Sequence, residues 1–157
     1  MCYSAQIEAD YKKFQLEFGA VIDLPTFTDL WLRKKDKPRP KTPRALDLSF
    51  LRPGDSKVAA IAAEIREWDT EQVAQLETEL FKQAKRLADA ERKLADKPTK
   101  TGANEQRIAG NKIEQIKLKI ADLKRSKPEA RDFRMFPGYY CPVLVSEGGK
   151  LVVKPMR

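Results

Sequence analysis

The sequence contains no histidine, and this absence removes several kinds of chemistry. Histidine is the usual general base at neutral pH and the commonest zinc ligand in proteins. The only two cysteines, Cys2 and Cys141, lie far apart in the chain and form no CxxC motif, which argues against a structural metal site. We therefore expect no metal and no other cofactor.

Long apolar runs are also lacking. No stretch reaches the roughly 18 consecutive apolar residues that a transmembrane helix needs, so we expect no membrane partner. The chain start lacks the basic segment and following apolar stretch of a secretory signal. With only two cysteines, reduced thiols are the better expectation than a disulfide. These features predict a cytoplasmic protein.

Basic residues are abundant, and they are unevenly placed. The formal net charge is +8, and residues 33–44 hold seven Lys or Arg against the single acid Asp36. Prolines at positions 38, 40 and 43 exclude a helix there and predict an extended basic loop. Such a segment attracts phosphates because binding releases their counterions. The alternative is a solvated linker without a ligand.

The first part of the chain predicts two short helices. Apolar residues recur at helical spacing over 5–19, with Ser4 placed to cap the helix and Gly19 placed to end it. A second helical pattern follows Thr26, a candidate N-cap, and includes Trp31.

The middle of the chain predicts a long antiparallel helical hairpin. After a helical stretch that begins near Lys57, Asp69 or Thr70 can cap a long helix with an apolar heptad repeat. The sequence KPTKTG at 97–102 interrupts it, and a second amphipathic helix follows to residue 125. This coiled-coil-like hairpin predicts self-association or a protein partner, although its seam can equally be satisfied within the hairpin. The heptad positions are Val73, Leu80, Leu87 and Leu94.

The last segment predicts a β-hairpin. The aromatic turn sequence FPGYYCP precedes VLVSEGGKLVV, in which two β-rich runs flank Glu-Gly-Gly. A lone two-stranded hairpin is marginal in water, so its apolar last strand should pair with a further element. We expect an α+β fold in three segments: 1–56, 57–125 and 126–157.

Cys2 carries the most distinctive chemistry. Once Met1 is removed, Cys2 has an α-amine that titrates near 8 and a thiol that titrates near 8.5. The amine can condense with an aldehyde to an imine, and the thiol can then close a five-membered thiazolidine. The alternative is that a cysteine at position 2 is incidental.

The start MCYSAQ and the later FPGYYCPVLVSEGGKLVVKP resemble the SOS response-associated peptidase (SRAP) family, in particular a bacterial subgroup with a helical insertion. Members of that family process abasic sites in single-stranded DNA. The resemblance implies that Cys2, exposed by self-removal of Met1, forms a thiazolidine link to the abasic deoxyribose. It also implies that Pro142 occupies a family position, that Cys141 replaces an alanine and packs, and that the hairpin opens a β-rich core.

The chain departs from the family pattern in two respects. The usual start is Met-Cys-Gly-Arg, whereas Tyr3 and Ser4 stand here, without the phosphate-binding arginine. The family's Asn, Glu and His, which lie beyond the first hairpin, have no counterpart, so the chain resembles the N-terminal part of such a protein. We therefore expect Cys2 to keep its intrinsic chemistry and to lack the groups that assist it.

The resulting hypothesis is an abasic site processing protein of the DNA damage response. It would act as an autopeptidase on Met1, crosslink to abasic single-stranded DNA or cleave there as a lyase, and be nucleoid-associated when bound. Bases could stack on Tyr3, Trp31, Tyr139 or Tyr140. The alternatives are a non-catalytic hairpin interaction protein and an inactive remnant. The predicted DNA-binding residues are Lys34, Lys35, Lys37, Arg39, Lys41 and Arg44.

Overall fold

The computed structural model describes residues 5–32, 38–52, 54 and 56–157. Within those residues it contains five α-helices and five β-strands, which confirms the predicted α+β class. The chain divides into two compact units. The first comprises residues 1–68 and 126–157, and the second comprises residues 69–125.

Helix α1 of the first unit is shorter than predicted. It spans Tyr11–Phe18 and begins after Asp10, whose side chain accepts a hydrogen bond of 3.1 Å from the backbone N–H of Lys12. The expected helical start near residue 5 is wrong, because Ala5–Gln6 form strand β1 instead. Ser4 lies outside the described residues. The helix ends as predicted at Gly19, whose φ of 61° favours glycine.

Helix α2 spans Leu24–Trp31, and its cap also differs from the prediction. Asp23 caps it by accepting hydrogen bonds from the backbone N–H of Thr26 at 3.2 Å and from its hydroxyl at 2.7 Å. Thr26 therefore lies inside the first turn. Helix α3 follows at Arg44–Phe50.

The first unit is built around a cluster of aromatic rings. Phe50 of α3 stacks on Tyr11 at 4.8 Å between ring centroids, and it meets Phe27 and Trp31 edge-on at 5.6 and 5.4 Å. Val58, Ile61 and Ile65 are buried with this cluster, and the last two belong to α4, Ala59–Asp96. This burial explains why the first unit extends to Trp68.

Two small sheets complete the first unit. Strand β1 pairs antiparallel with β3, Arg134–Met135. Strand β5, Lys150–Met156, lies between β4, Cys141–Glu147, and the short β2, Val21–Ile22. Strand β4 is antiparallel to β5, whereas β2 is parallel to it.

The predicted C-terminal hairpin is confirmed. Glu147 pairs with Lys150, so Gly148 and Gly149 form a two-residue turn, with φ angles of 57° and 77°. Two consecutive positive φ values are accessible to glycine at little cost, and this turn matches the right-handed twist of the strands. The additional partner expected for the last strand is β2.

The second unit contains the remainder of α4 and all of α5, Lys100–Lys124. The predicted new cap at Asp69 or Thr70 is wrong, because α4 continues without interruption from Ala59 to Asp96. The predicted interruption at 97–102 is confirmed in a shorter form, since the Thr99 side chain caps α5 from Lys100 onward.

The two helices of the second unit are antiparallel. At one end, the Leu94 side chain lies so close to Gly102 that a Cβ on the glycine would be 2.9 Å from Leu94 Cδ2. At the other end, Lys124 Nζ lies 3.8 Å from Glu77 Oε1. Small residues, Ala90 and Ala109, are buried along the seam, so the backbones can approach closely. In the described part of the chain, no helix is both long enough and apolar enough to cross a membrane.

Candidate nucleic-acid interface

The first unit carries a cleft of about 570 Å³ with a basic lining, referred to below as the basic cleft. Its lining comes from five parts of the chain: the end of α2, the extended segment after residue 37, α4, the turn before β4, and the last residue. The lining contains three cationic side chains and one carboxylate, so the electrostatic potential in the cleft is positive. The charged and aromatic lining residues are Asp29, Arg39, Lys41, Trp68, Tyr140 and Arg157.

The extended segment forms one wall of the basic cleft. Residues 38–43 contain neither helix nor strand, which agrees with the prediction from their prolines, but Arg44, the last residue of the predicted loop 33–44, begins α3 instead. The backbone carbonyl of Lys41 accepts a hydrogen bond of 2.7 Å from the N–H of Tyr140. This bond fastens the segment to the residue that leads into β4, so both sides of the cleft have fixed backbone positions.

Arg39 is held in the cleft by two contacts. Its guanidinium carbon lies 5.3 Å from the centre of the Trp68 ring, a cation–π distance. Its Nη2 donates to Asp47 Oδ2 at 2.5 Å, and the Thr42 hydroxyl donates to the other carboxylate oxygen at 3.0 Å. Asp47 is only 3% exposed, so it orients Arg39 from beneath the surface.

The six predicted DNA-binding residues fall into three groups. Arg39 and Lys41 line the basic cleft, and Lys41 is exposed. Arg44 does not line it and pairs instead with Asp47 at 3.9 Å. Lys34, Lys35 and Lys37 lie outside the described residues. The residues that flank them, Leu32 and Pro38, both line the cleft.

Two important residues of the cleft were not predicted from the sequence. In the sequence, Trp68 is one of several apolar residues of a helical pattern. Arg157 is a polar residue that follows the last predicted strand. Arg157 lies beside the turn at Gly138, where a Cβ would come within 3.9 Å of its Nε. Gly138 has a φ of 84°, so this turn favours glycine. The Phe-Pro-Gly turn sequence was the only available signal.

The aromatic residues proposed for stacking occupy different environments. Tyr140 is half-buried and lines the cleft. Tyr139 packs edge-on against Phe136, with 5.5 Å between ring centroids. Trp31 is fully buried in the aromatic core and is therefore structural. Tyr3 lies outside the described residues.

Cys2 also lies outside the described residues, but the strand that follows it is placed. Ala5 pairs with Met135, and Pro137, two residues further along the chain, lines the basic cleft. Three peptide units separate Cys2 from Ala5, a span of at most about 11 Å. The described start of the chain is thus anchored to β3, two residues before a residue that lines the cleft.

Cys141 has a different character. It is 7% exposed, and its sulfur lies 3.4 Å from the Met135 sulfur, which confirms the predicted packing role. Burial raises the pKa of the Cys141 thiol, so the reactive thiolate is disfavoured. Cys141 is therefore a poor nucleophile at neutral pH.

Across the part of the chain that the structure describes, no group of three His, Cys, Asp or Glu residues is placed to hold a metal ion. No protein-family model matches the chain, and neither does any curated protein or any solved structure. Its functional interpretation depends on the chemistry of the basic cleft and of Cys2.

Proposed function

We propose that this protein binds single-stranded DNA in the basic cleft and forms a thiazolidine crosslink at abasic sites through Cys2. The observation that carries the proposal is the cleft itself, in which Arg39, Lys41 and Arg157 line the same cavity as the half-buried Tyr140. The sequence resemblance to the SRAP family supplies the chemistry expected of Cys2.

The composition of the cleft favours a single strand over a duplex. Proteins that bind single strands combine a positive groove for the backbone with aromatic rings on which bases stack. A volume of about 570 Å³ suits one nucleotide residue and not a paired helix. In this arrangement Tyr140 offers a stacking surface, and Lys41 and Arg157 contact phosphate.

Arg39 has a positioning role in this proposal. Asp47 and the Trp68 ring already fix its guanidinium in the unbound protein. Binding of a ligand therefore costs less side-chain entropy than it would with a mobile arginine. The neighbouring segment 33–37 adds four Lys or Arg and one Asp, which strengthens the attraction for a polyanion.

The covalent step balances without a cofactor. Hydrolysis of the Met1–Cys2 peptide bond consumes one water and frees the α-amine of Cys2. That amine adds to the C1′ aldehyde of the ring-opened sugar and expels one water to give an imine. The Cys2 sulfur then adds to the imine carbon, and the thiol proton passes to the nitrogen.

The test uses single-stranded DNA that carries one abasic site. The protein should give a covalent complex that survives heat and denaturant, and Cys2→Ser should abolish it. Cys141→Ser is the matched control, because its buried thiol has no part in the reaction, and it should crosslink like the unmodified protein. Absence of a covalent complex, or an equal yield from Cys2→Ser, would refute the proposal.

A further inference from the structure

The second unit carries an exposed apolar side chain, Phe81, on α4 outside the buried seam of the hairpin. Phe81 is 83% exposed, although the seam between α4 and α5 is already filled by buried residues such as Ala90 and Ile116. Around it lie small and charged side chains, and we call this set the Phe81 surface: Ala74, Glu77, Thr78, Phe81, Lys82, Ala84 and Lys85.

The residues next to Phe81 leave room for a large side chain from outside. Thr78 lies three positions before it and Ala84 three positions after it, so both occupy the same face of the helix. Ala74, one further turn away, is also small. A phenylalanine that projects from a second helix can therefore pack beside Phe81 without a steric clash.

Two of the three charged residues of the Phe81 surface, Glu77 and Lys85, are arranged in a self-complementary order. Glu77 lies four positions before Phe81, and Lys85 lies four positions after it. In a two-fold antiparallel pair centred on Phe81, each position before the centre faces the equivalent position after the centre in the other copy. Glu77 of each copy then opposes Lys85 of the other, and the favourable contact occurs twice.

We propose that the Phe81 surface binds a second copy of this chain, with the two α4 helices antiparallel and the Phe81 rings in contact. An unrelated partner would need an apolar side chain opposite Phe81, but it would not require this charge order. The contact involves one helix face per copy, which is small for a protein interface, so the dimer should be weak and concentration-dependent. The proposal is independent of the basic cleft and of Cys2.

The first test is sedimentation velocity of the full chain from about 1 µM to about 1 mM, the range in which a weak dimer dissociates. The unmodified protein should move from monomer to dimer, and Phe81→Glu should stay monomeric throughout. Leu118→Glu is the matched control, because Leu118 is 67% exposed on α5 and lies outside the Phe81 surface. The Leu118→Glu variant should dimerise like the unmodified protein. Far-UV circular dichroism should show that both variants remain helical.

The second test is a charge swap. Glu77→Lys and Lys85→Glu should each weaken dimerisation by about tenfold, because each places like charges opposite one another twice. The double variant should recover dimerisation, since the opposite charges face each other again. A protein that is monomeric at all concentrations, a dimer that survives Phe81→Glu, or a double variant that fails to recover would overturn the proposal.

Discussion

The two units bury their apolar surface in different ways. In the first unit, large rings from three helices meet at Phe50, and β1 and β2 pair with strands more than 100 residues away in the chain. In the second unit, two helices adjacent in the sequence meet through small residues such as Ala90 and Ala109. The first unit is therefore held by contacts between distant segments, and the second by contacts that repeat along neighbouring helices.

This difference separates the two proposed roles. Converging distant segments produce a concave site, because loops and helix ends from several elements meet around it, as in the basic cleft. A periodic hairpin produces flat helix faces, which suit contact with another helix. If the two units are independent, a substitution in one of them should leave the stability of the other unchanged.

The largest effect is expected from Phe50→Ala. Phe50 is fully buried and contacts three other aromatic residues, so the first unit should lose about 3–5 kcal/mol of stability. Urea unfolding should show a first-unit transition at much lower denaturant, whereas the helical signal of the hairpin should persist. Simultaneous loss of both signals would show that the units unfold as one.

Asp47→Ala should destabilise the first unit by about 2–3 kcal/mol, because it removes the buried carboxylate that pairs with Arg39 and Arg44. Arg39 is 27% exposed in its side chain, so water compensates part of the loss. Asp29→Ala is the control. It removes a carboxylate of the cleft that does not pair with Arg39 or Arg44 in the contacts described above, and it should change thermal stability little. Equal effects of the two substitutions would argue against the role assigned to Asp47.

Ala109→Leu should destabilise the hairpin by about 1–3 kcal/mol, since Ala109 is fully buried and a larger side chain forces the helices apart. Ala103→Leu, at an exposed position of the same helix, is the matched control. Thermal unfolding followed by circular dichroism measures both. A neutral Ala109→Leu would mean that the seam is looser than its burial indicates.

Lys41→Ala should weaken binding to single-stranded DNA and should reduce the slope of log affinity against log salt by about 0.7, the value for one phosphate contact on a single strand. Lys150→Ala, an exposed cation outside the cleft, should leave that slope unchanged. Fluorescence anisotropy over a salt series measures both variants. Indistinguishable slopes would place the phosphate contacts elsewhere.

The smallest effect concerns Cys141. Because burial raises the pKa of its thiol, its reaction with a disulfide reagent should be slow near neutral pH and should accelerate as pH rises toward that higher pKa. In the Cys2→Ser variant the remaining thiol can be followed alone. Fast labelling at neutral pH in the folded state would contradict the buried position.

The sequence predicts those parts of the fold whose contacts are local. The heptad positions from Val73 to Leu94 indicate the hairpin helices, and Gly148-Gly149 indicates the β-turn. The two-residue strands β1 and β2 escaped prediction, because only pairing with distant strands makes them extended. Asp10 and Asp23 cap their helices where Ser4 and Thr26 were favoured, since several polar residues near a helix start can serve as caps.

The candidate site was predictable only in part, for the same reason. Arg39, Lys41 and Tyr140 carry local signals, namely a basic proline-rich segment and an aromatic turn. Trp68 and Arg157 join them from segments that are distant in the sequence, so no local pattern reveals their proximity. The buried partner Asp47 has no sequence signal beyond its position three residues after Arg44.

The pairing of β2 with β5 has a consequence for the order of folding. Residue 21 pairs with residue 152, so this part of the sheet cannot form until both segments have left the ribosome. The hairpin at 69–125 needs only local contacts, and it can form during synthesis. Once formed, it brings Glu77 and Lys124 within 3.8 Å and so shortens the loop that β2 and β5 must close. We therefore expect the preformed helical arm to speed the assembly of the unit that carries the cleft.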